Sequence, residues 1–170
     1  MTTLPGELVT LRTATAADVV ALVSIRAAPE VYARWGGQDD LVAELLDDVA
    51  QPDLHVLVIE DDDRVVGAIQ WQEEEDPVYR HAGIDLYLDP AAHGRGLGTD
   101  AVRTMARHLI DDVGHHRLVI DPATDNAAAI RCYEKVGFRS VGVMRQYERG
   151  PDGTWHDGLL MELLADDLIR

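Results

Sequence analysis

The chain has 170 residues, 46% of them hydrophobic and 27% charged. That composition suits one globular domain with a real core and excludes disordered, collagenous and low-complexity classes. Fifteen Lys and Arg against 31 Asp and Glu leave a net charge of −16, a field that repels nucleic acid and anionic membranes and draws in cations.

No run approaches the ~20 apolar residues that cross a bilayer. The opening lacks a basic stretch followed by an apolar one, so the cytoplasm is the expected compartment. Cys132 is the single cysteine, which excludes an internal disulfide and a Cys-based zinc site; no metal is expected.

Leu8 to Arg12 reads as a short strand. Thr15 can cap a helix from about Ala16 to Ala27, with Asp18 at its positive end. Pro29 starts a short helical piece to Trp35, which Gly36-Gly37 breaks. From Asp39 to Ala50, Leu41, Leu45, Leu46 and Val49 recur at helical spacing. Leu54 to Glu60 and Arg64 to Gln72 form a hairpin about the turn Asp61-Asp62-Asp63. Glu73-Glu74-Glu75-Asp76-Pro77 reads as an acidic loop. Gly83 to Leu88 is the next strand, with Ile84, Leu86 and Leu88 on one face and Asp85 and Tyr87 on the other.

Asp89 to Gly96 is a loop. A helix follows from about Leu97 to Val113, stopped by Gly114. Arg117 to Ile120 is a strand. Asp125 or Asn126 caps a helix to Val136, which Gly137 ends. Phe138 to Glu148 and Trp155 to Leu164 are long strands joined by the turn Arg149 to Gly153. There is no internal repeat and no linker. Residues 1–170 therefore read as one α+β domain.

Two segments carry chemistry. His93-Gly94-Arg95-Gly96-Leu97-Gly98-Thr99 follows a strand and opens a helix. Its glycines let backbone approach a ligand, and free N–H groups at the helix start suit an anion; a plain turn is the alternative. No Lys-Ser or Lys-Thr follows, so it is not a P-loop, and the glycine spacing is too short for a dinucleotide fingerprint. The second segment runs from Asp125 to Phe138. Read on its own, it is a capped helix packing Ile130, Tyr133 and Val136 before a glycine stop.

Together these segments resemble the acyl-CoA-binding core of the GCN5-related N-acetyltransferase (GNAT) superfamily. That family's Gln/Arg-x-x-Gly-x-Gly/Ala motif stands here as His93-x-x-Gly96-x-Gly98, with the glycines matching and the first position departing. Its second motif matches at Asn126, Ala129, Tyr133, Gly137 and Phe138. A closer resemblance joins Trp35-Gly36-Gly37, the acidic run after Trp71, Gly83-Ile84-Asp85, Gly94 to Thr99 and Ala129 to Lys135. These are similar to aminoglycoside 6′-N-acetyltransferases. Asp39 to Asp53 does not align. A related family sharing the core acylates siderophore precursors.

The resemblance implies a GNAT fold, with a mixed central sheet of about seven strands and about four helices. It implies acetyl-CoA as cosubstrate and a small polycationic aminosugar as partner, in a monomer or homodimer that gives antibiotic resistance. Leu86, Tyr87 and Leu88 would pair with the pantetheine arm as an added strand does. The N–H of Leu86 or Tyr87 would polarise the thioester carbonyl. His93, Gly94, Arg95, Gly96, Leu97, Gly98 and Thr99 would surround the pyrophosphate. Asn126 would bond the pantetheine amide, beside Ala129.

Tyr133 would protonate the leaving thiolate; alternatively it is a packed helix tyrosine. Asp85 would bind the amine and accept its proton; alternatively it is a solvated strand residue. Trp35 would stack on the sugar, or is simply buried. Glu73, Glu74, Glu75, Asp121 and Asp152 would hold further ammonium groups, with turn formation the alternative for Asp152. His108, His115 and His116 need only surface or dipole-facing roles near a helix end. Cys132 reads as a packed helix residue facing away from Ile130 and Tyr133. Two other functions fit the same features: acylation of a siderophore precursor or protein N-terminus, and acyl-CoA binding without turnover.

Overall fold

The computed structural model describes residues 1–37 and 39–170. The first strands are β1 (Thr3–Pro5) and β2 (Thr10–Thr13), followed by the helices α1 (Val19–Arg26), α2 (Pro29–Trp35) and α3 (Leu41–Ala50). Then come β3 (His55–Asp61), β4 (Arg64–Glu74), β5 (His81–Leu88), α4 (Leu97–Arg107) and β6 (Arg117–Ile120). The chain closes with α5 (Ala127–Glu134), β7 (Arg139–Arg149) and β8 (Trp155–Leu164). All eight strands form one sheet in the order β1-β2-β3-β4-β5-β6-β8-β7. Among the described residues only β5 and β6 pair in parallel. Among the described residues no helix is long and apolar enough to cross a membrane.

Local chemistry explains the helix ends. Asp18 reaches back to the Thr15 N–H at 2.8 Å, a box that starts the turn before α1. Pro29 stands at the first turn of α2, and Gly36 leaves it at φ +59°. Asp40 caps α3 by accepting from the N–H groups of Val42 and Ala43. Of the two expected caps for α5, Asn126 does the work, taking the Ala129 N–H at 3.2 Å. Asp125 instead pairs with Arg34.

Each sheet face has its own core. Leu57, Ile59, Ile69, Trp71 and Ile84 pack against α4 and α5 through Val102, Met105 and Tyr133. The intervening residues Val56, Val58, Ala68 and Tyr87 pack against Leu22, Ile25, Val31 and Leu45 of α1–α3. Strands covered on both faces read as nearly continuous apolar runs, as β3 does. The N-terminal segment is tied down by Asp100, a buried carboxylate in the first turn of α4. It accepts the N–H groups of Glu7, Leu8 and Val9 at 3.2, 2.7 and 3.0 Å.

The α+β class holds, with eight strands and five α-helices rather than about seven and four. The added strand β1 is three residues long and contains a proline, so no alternation announces it. The expected strand at Leu8 starts later, at Thr10, because residues 7–9 are drawn onto Asp100. The expected acidic loop is partly strand: pairing with Ala82 and His81 extends β4 through Glu73 and Glu74.

Candidate active site

The sheet opens where its parallel pair, β5 and β6, ends. β5 and β6 pair at Ala82↔Leu118 and Gly83↔Val119 and then diverge. Beyond Gly83 the inner edge of β5 has no strand partner among the described residues, so it can accept an extended chain as an added strand. A groove of about 420 Å³ occupies this gap. Its walls are Leu86, Tyr87 and Leu88 of β5, the segment around α4's start, and Asn126, Ala129, Cys132 and Tyr133 of α5.

The α4 end of the groove is built for close backbone approach. Gly94 and Gly96 stand at φ +74° and +84°, conformations that side chains rarely adopt. Gly96 is the residue from which α4 springs, so the helix's unpaired N–H groups face the loop. A Cβ at Gly98 would come within 3.2 Å of Leu88 Cδ1. His93, Gly94, Leu97, Gly98 and Thr99 line the groove with Gly96. The Arg95 side chain points elsewhere, to Asp61 at 2.7 Å. Loop and glycines together fit a phosphate-bearing ligand.

Tyr133 is buried at the α5 wall. Burial pushes its phenol well above the usual range, and the charges of Asp85 and Asp121 add to that. The hydroxyl therefore stays protonated at neutral pH. Cys132 also lines this groove and accepts a hydrogen bond from Thr99 Oγ1 at 3.3 Å. It was expected to face away from Tyr133; burial raises its thiol pKa, so it is not an activated thiolate.

A second cleft, of about 290 Å³, opens on the sheet at the same divergence. Strand register decides which side chains share it. Trp71↔Ile84 and Glu73↔Ala82 belong to the face that packs on α4. Gln70↔Asp85, Gln72↔Gly83 and Glu74↔His81 belong to the other. On β6, Val119 is in register with Gly83, so Asp121, two residues on, joins Asp85 on that face. Asp85 opens to solvent along the cleft, yet protein surrounds its carboxyl on most sides. That burial, then the negative charges of Asp121 and Glu148, push it up to about 7. Tyr147 completes the wall, and the Asp121 carboxylate nearby, ahead of burial, pushes its phenol up to about 12.

The other expected acceptor residues are separated from this pair. Glu73 contributes to the cleft wall, but its carboxylate lies on the opposite face, where Arg80 Nε donates to it at 2.6 Å. Glu75 does not line the cleft. Trp35 lines the cofactor groove instead, packed edge-on against Tyr87 at 4.9 Å with the Arg26 guanidinium 5.2 Å above its ring.

Asp152 is bound within its own turn, accepting from the Thr154 N–H at 2.9 Å and Thr154 Oγ1 at 2.7 Å. Those bonds and His156 hold its carboxyl down at about 2. His115, expected to be at the surface or to face a helix dipole, is fully buried between Trp71 and Glu73; neither ring nitrogen makes a hydrogen bond, with Glu73 Oε1 3.9 Å from Nε2.

Tyr147, Glu148 and His81 were not anticipated. His81 was recoverable from alternation, since it lies four residues before Asp85. Tyr147 was not, because a β-bulge resets its face.

The acetyltransferase (GNAT) domain family matches residues 9–139. The aminoglycoside N(6′)-acetyltransferase type 1 of Klebsiella pneumoniae is 43% identical over 84 residues, 49% of this chain and 39% of that protein. RimI, an N-alpha-acetyltransferase of Mycobacterium tuberculosis, is 36% identical over 73 residues, 43% of this chain and 44% of its own. The matches thus span about two fifths of these curated relatives. A structure of AAC(6′)-Ib with ribostamycin and coenzyme A superposes with a TM-score of 0.78 at 28% identity, covering 95% of this chain and 96% of that one. A groove between parting parallel strands, a glycine turn into α4 and this sequence match have one explanation: the chain belongs to the GNAT acetyltransferase family.

Proposed function

We propose that the protein transfers an acetyl group from acetyl-CoA to the 6′-amine of an aminoglycoside, an activity that confers resistance. Acetyl-CoA, when bound, supplies the acetyl group as an activated thioester. The N–H groups of Arg95 to Thr99 hold its pyrophosphate at the start of α4. The free edge of β5 aligns the pantetheine arm, and the N–H of Leu86 or Tyr87 polarises the carbonyl. Asn126, already committed through Oδ1 to Ala129, offers its amide N–H₂ to the arm.

Asp85 has two tasks that conflict unless its carboxyl titrates near neutrality. As an anion it holds the incoming ammonium, which raises the amine's own pKa and opposes attack. A carboxyl pushed up to about 7 is ionised often enough to bind, and basic enough to accept the proton as attack proceeds. Tyr133 holds a proton on its oxygen at the groove and gives it to the departing sulfur. Asp121 supplies the second negative charge that a polycation needs. Glu74, on the same face, extends that field.

The observation that carries this reading is the Asp85–Asp121 pair at the point where the sheet parts beside the cofactor groove. Relatives acting on aminoglycosides support the acceptor class. Release of CoA on mixing protein and acetyl-CoA with kanamycin or tobramycin tests it, with a 6′-hydroxy aminoglycoside alongside. Release with the 6′-amines alone is expected. Equal release with the 6′-hydroxy compound contradicts the regiochemistry, and no release with any of them contradicts the acceptor class.

A further inference from the structure

Strand β7 carries an irregularity that places one side chain. Its pairing with β8 jumps from Met144↔Gly158 to Glu148↔His156, so residues 145–147 oppose Asp157 alone. At the centre of this bulge Gln146 adopts φ +51°, a left-handed conformation uncommon for a residue with a side chain. The bulge is fastened from both sides. Asp157 Oδ1 accepts the Gln146 N–H at 2.7 Å, and the Asp157 carbonyl accepts the Thr124 N–H at 3.0 Å, three residues beyond Asp121.

Next to the bulge, paired with Met144, stands Gly158. A Cβ there would meet Tyr147 Cδ1 at 2.9 Å, closer than real Cβ contacts come. The outcome is a tyrosine ring on the wall of the acceptor cleft that Asp121 and Asp85 also line. Bulges re-aim side chains beside active sites, and strained backbone survives where its surroundings over-determine it.

We propose that Tyr147 is a specificity-determining residue for the acetyl acceptor, its hydroxyl holding the Asp121 carboxylate turned into the cleft so that a cation binds between Asp121 and Asp85. The hydroxyl uses one acceptor position on Asp121 and leaves others for an ammonium group. Its proton stays in place at neutral pH, because the phenol is pushed up to about 12. The ring also limits the width of the cleft. This assignment rests on reading that cleft as the amine site.

Two variants reach Tyr147 from different strands. Tyr147→Phe keeps the ring and removes the hydroxyl. Gly158→Ala keeps the hydroxyl and displaces the ring. With tobramycin as acceptor, each is expected to raise the acceptor KM about tenfold, the scale of a hydrogen bond to a charged group. The acetyl-CoA KM is expected to stay within twofold and the melting temperature of Tyr147→Phe to be unmoved.

An acceptor KM within twofold of wild type in Tyr147→Phe overturns the assignment and leaves the function standing. If wild-type protein acetylates an N-terminal peptide and not tobramycin, the acceptor class falls. The same KM split, read with that peptide, then decides for or against Tyr147. Turnover of neither amine overturns both.

Discussion

Asp85 and Asp121 stand at equal steps beyond the last paired residues of two parallel strands, Gly83 and Val119, and on the same sheet face. The strands part just there, so the two carboxylates remain neighbours without a ladder between them. Burial of the Asp85 carboxyl, and then the Asp121 charge beside it, make Asp85 harder to ionise. Its position also matters for folding. A carboxyl pushed up to about 7 binds its proton more tightly folded than unfolded. Stability from this group is full below pH ~4 and is lost as pH rises through about 7.

Asp85→Asn therefore has two opposite expected effects. The kcat/KM for the acceptor falls about 10²-fold or more, the usual scale for losing a general base. The melting temperature at pH 8 rises, because no charge is left to desolvate. A steady-state assay beside a thermal melt measures both. An unchanged rate removes Asp85 from the chemistry.

The cofactor cradle gives a separate expectation. Gly96 stands at φ +84° with Leu8 Cδ1 3.4 Å from where a Cβ would sit. Gly96→Val strains the turn and crowds the ligand's approach. The acetyl-CoA KM is expected to rise at least tenfold with little change in the acceptor KM. Equal rises in both contradict the cradle.

Strand–helix order and α2's bounds were legible because each boundary has a local cause: Pro29 and Gly36, Asp40, Asn126, and the glycines before α4. The Asp85 face was legible from strict alternation along β5. The distribution of acceptor residues was not. Whether Glu73 or Glu74 shares Asp85's face depends on a register set by Ala82 and His81, and β4 runs on past the point where its apolar pattern stops. Trp35 is placed by Arg26, nine residues earlier and on another helix. Asp152 has a turn's own donors nearer than any ligand. These are contacts of tertiary origin, with no signature in neighbouring residues.

His115 illustrates a cost held in the core. A buried imidazole whose nitrogens make no hydrogen bond is destabilising, even with Glu73 Oε1 3.9 Å from Nε2, and an apolar ring of similar shape is not. His115→Phe is expected to raise the melting temperature at pH 7 by a few degrees. Burial first, then the Arg80 charge, lower the His115 pKa below 6.5, so the unfolded chain takes up the proton first. Wild-type stability then falls as pH drops below ~6.5, and His115→Phe flattens that slope. Melting curves from pH 5 to 8 check both; a destabilised variant contradicts the account.

Asp100 works in the opposite sense. It satisfies three backbone N–H groups of residues 7–9 from inside the core. Asp100→Ala leaves them unpaired and is expected to cost about 3 kcal/mol. Urea unfolding measures this, and a cost under about 1 kcal/mol contradicts it.

An acceptor held by Asp85, Asp121 and the field of Glu74 is held partly through solvent, which salt screens. The Debye length falls from ~30 Å at 0.01 M to ~8 Å at 0.15 M. Added KCl is expected to raise the KM for a polycationic acceptor steeply, with kcat little changed. The acetyl-CoA KM is expected to stay flat or improve, since the −16 field repels that anion. A salt-insensitive acceptor KM contradicts a polycation in this cleft.

The most direct test of proton transfer at Asp85 is the pH dependence of kcat/KM for the acceptor in wild type, Asp85→Asn and Asp121→Asn. In wild type the rate rises through a limb near pH 7, where the Asp85 carboxyl ionises. Removing the Asp121 charge lets Asp85 ionise more readily and moves that limb to lower pH, while Asp85→Asn abolishes it. A limb that stays near pH 7 in both variants belongs to another group and contradicts the account.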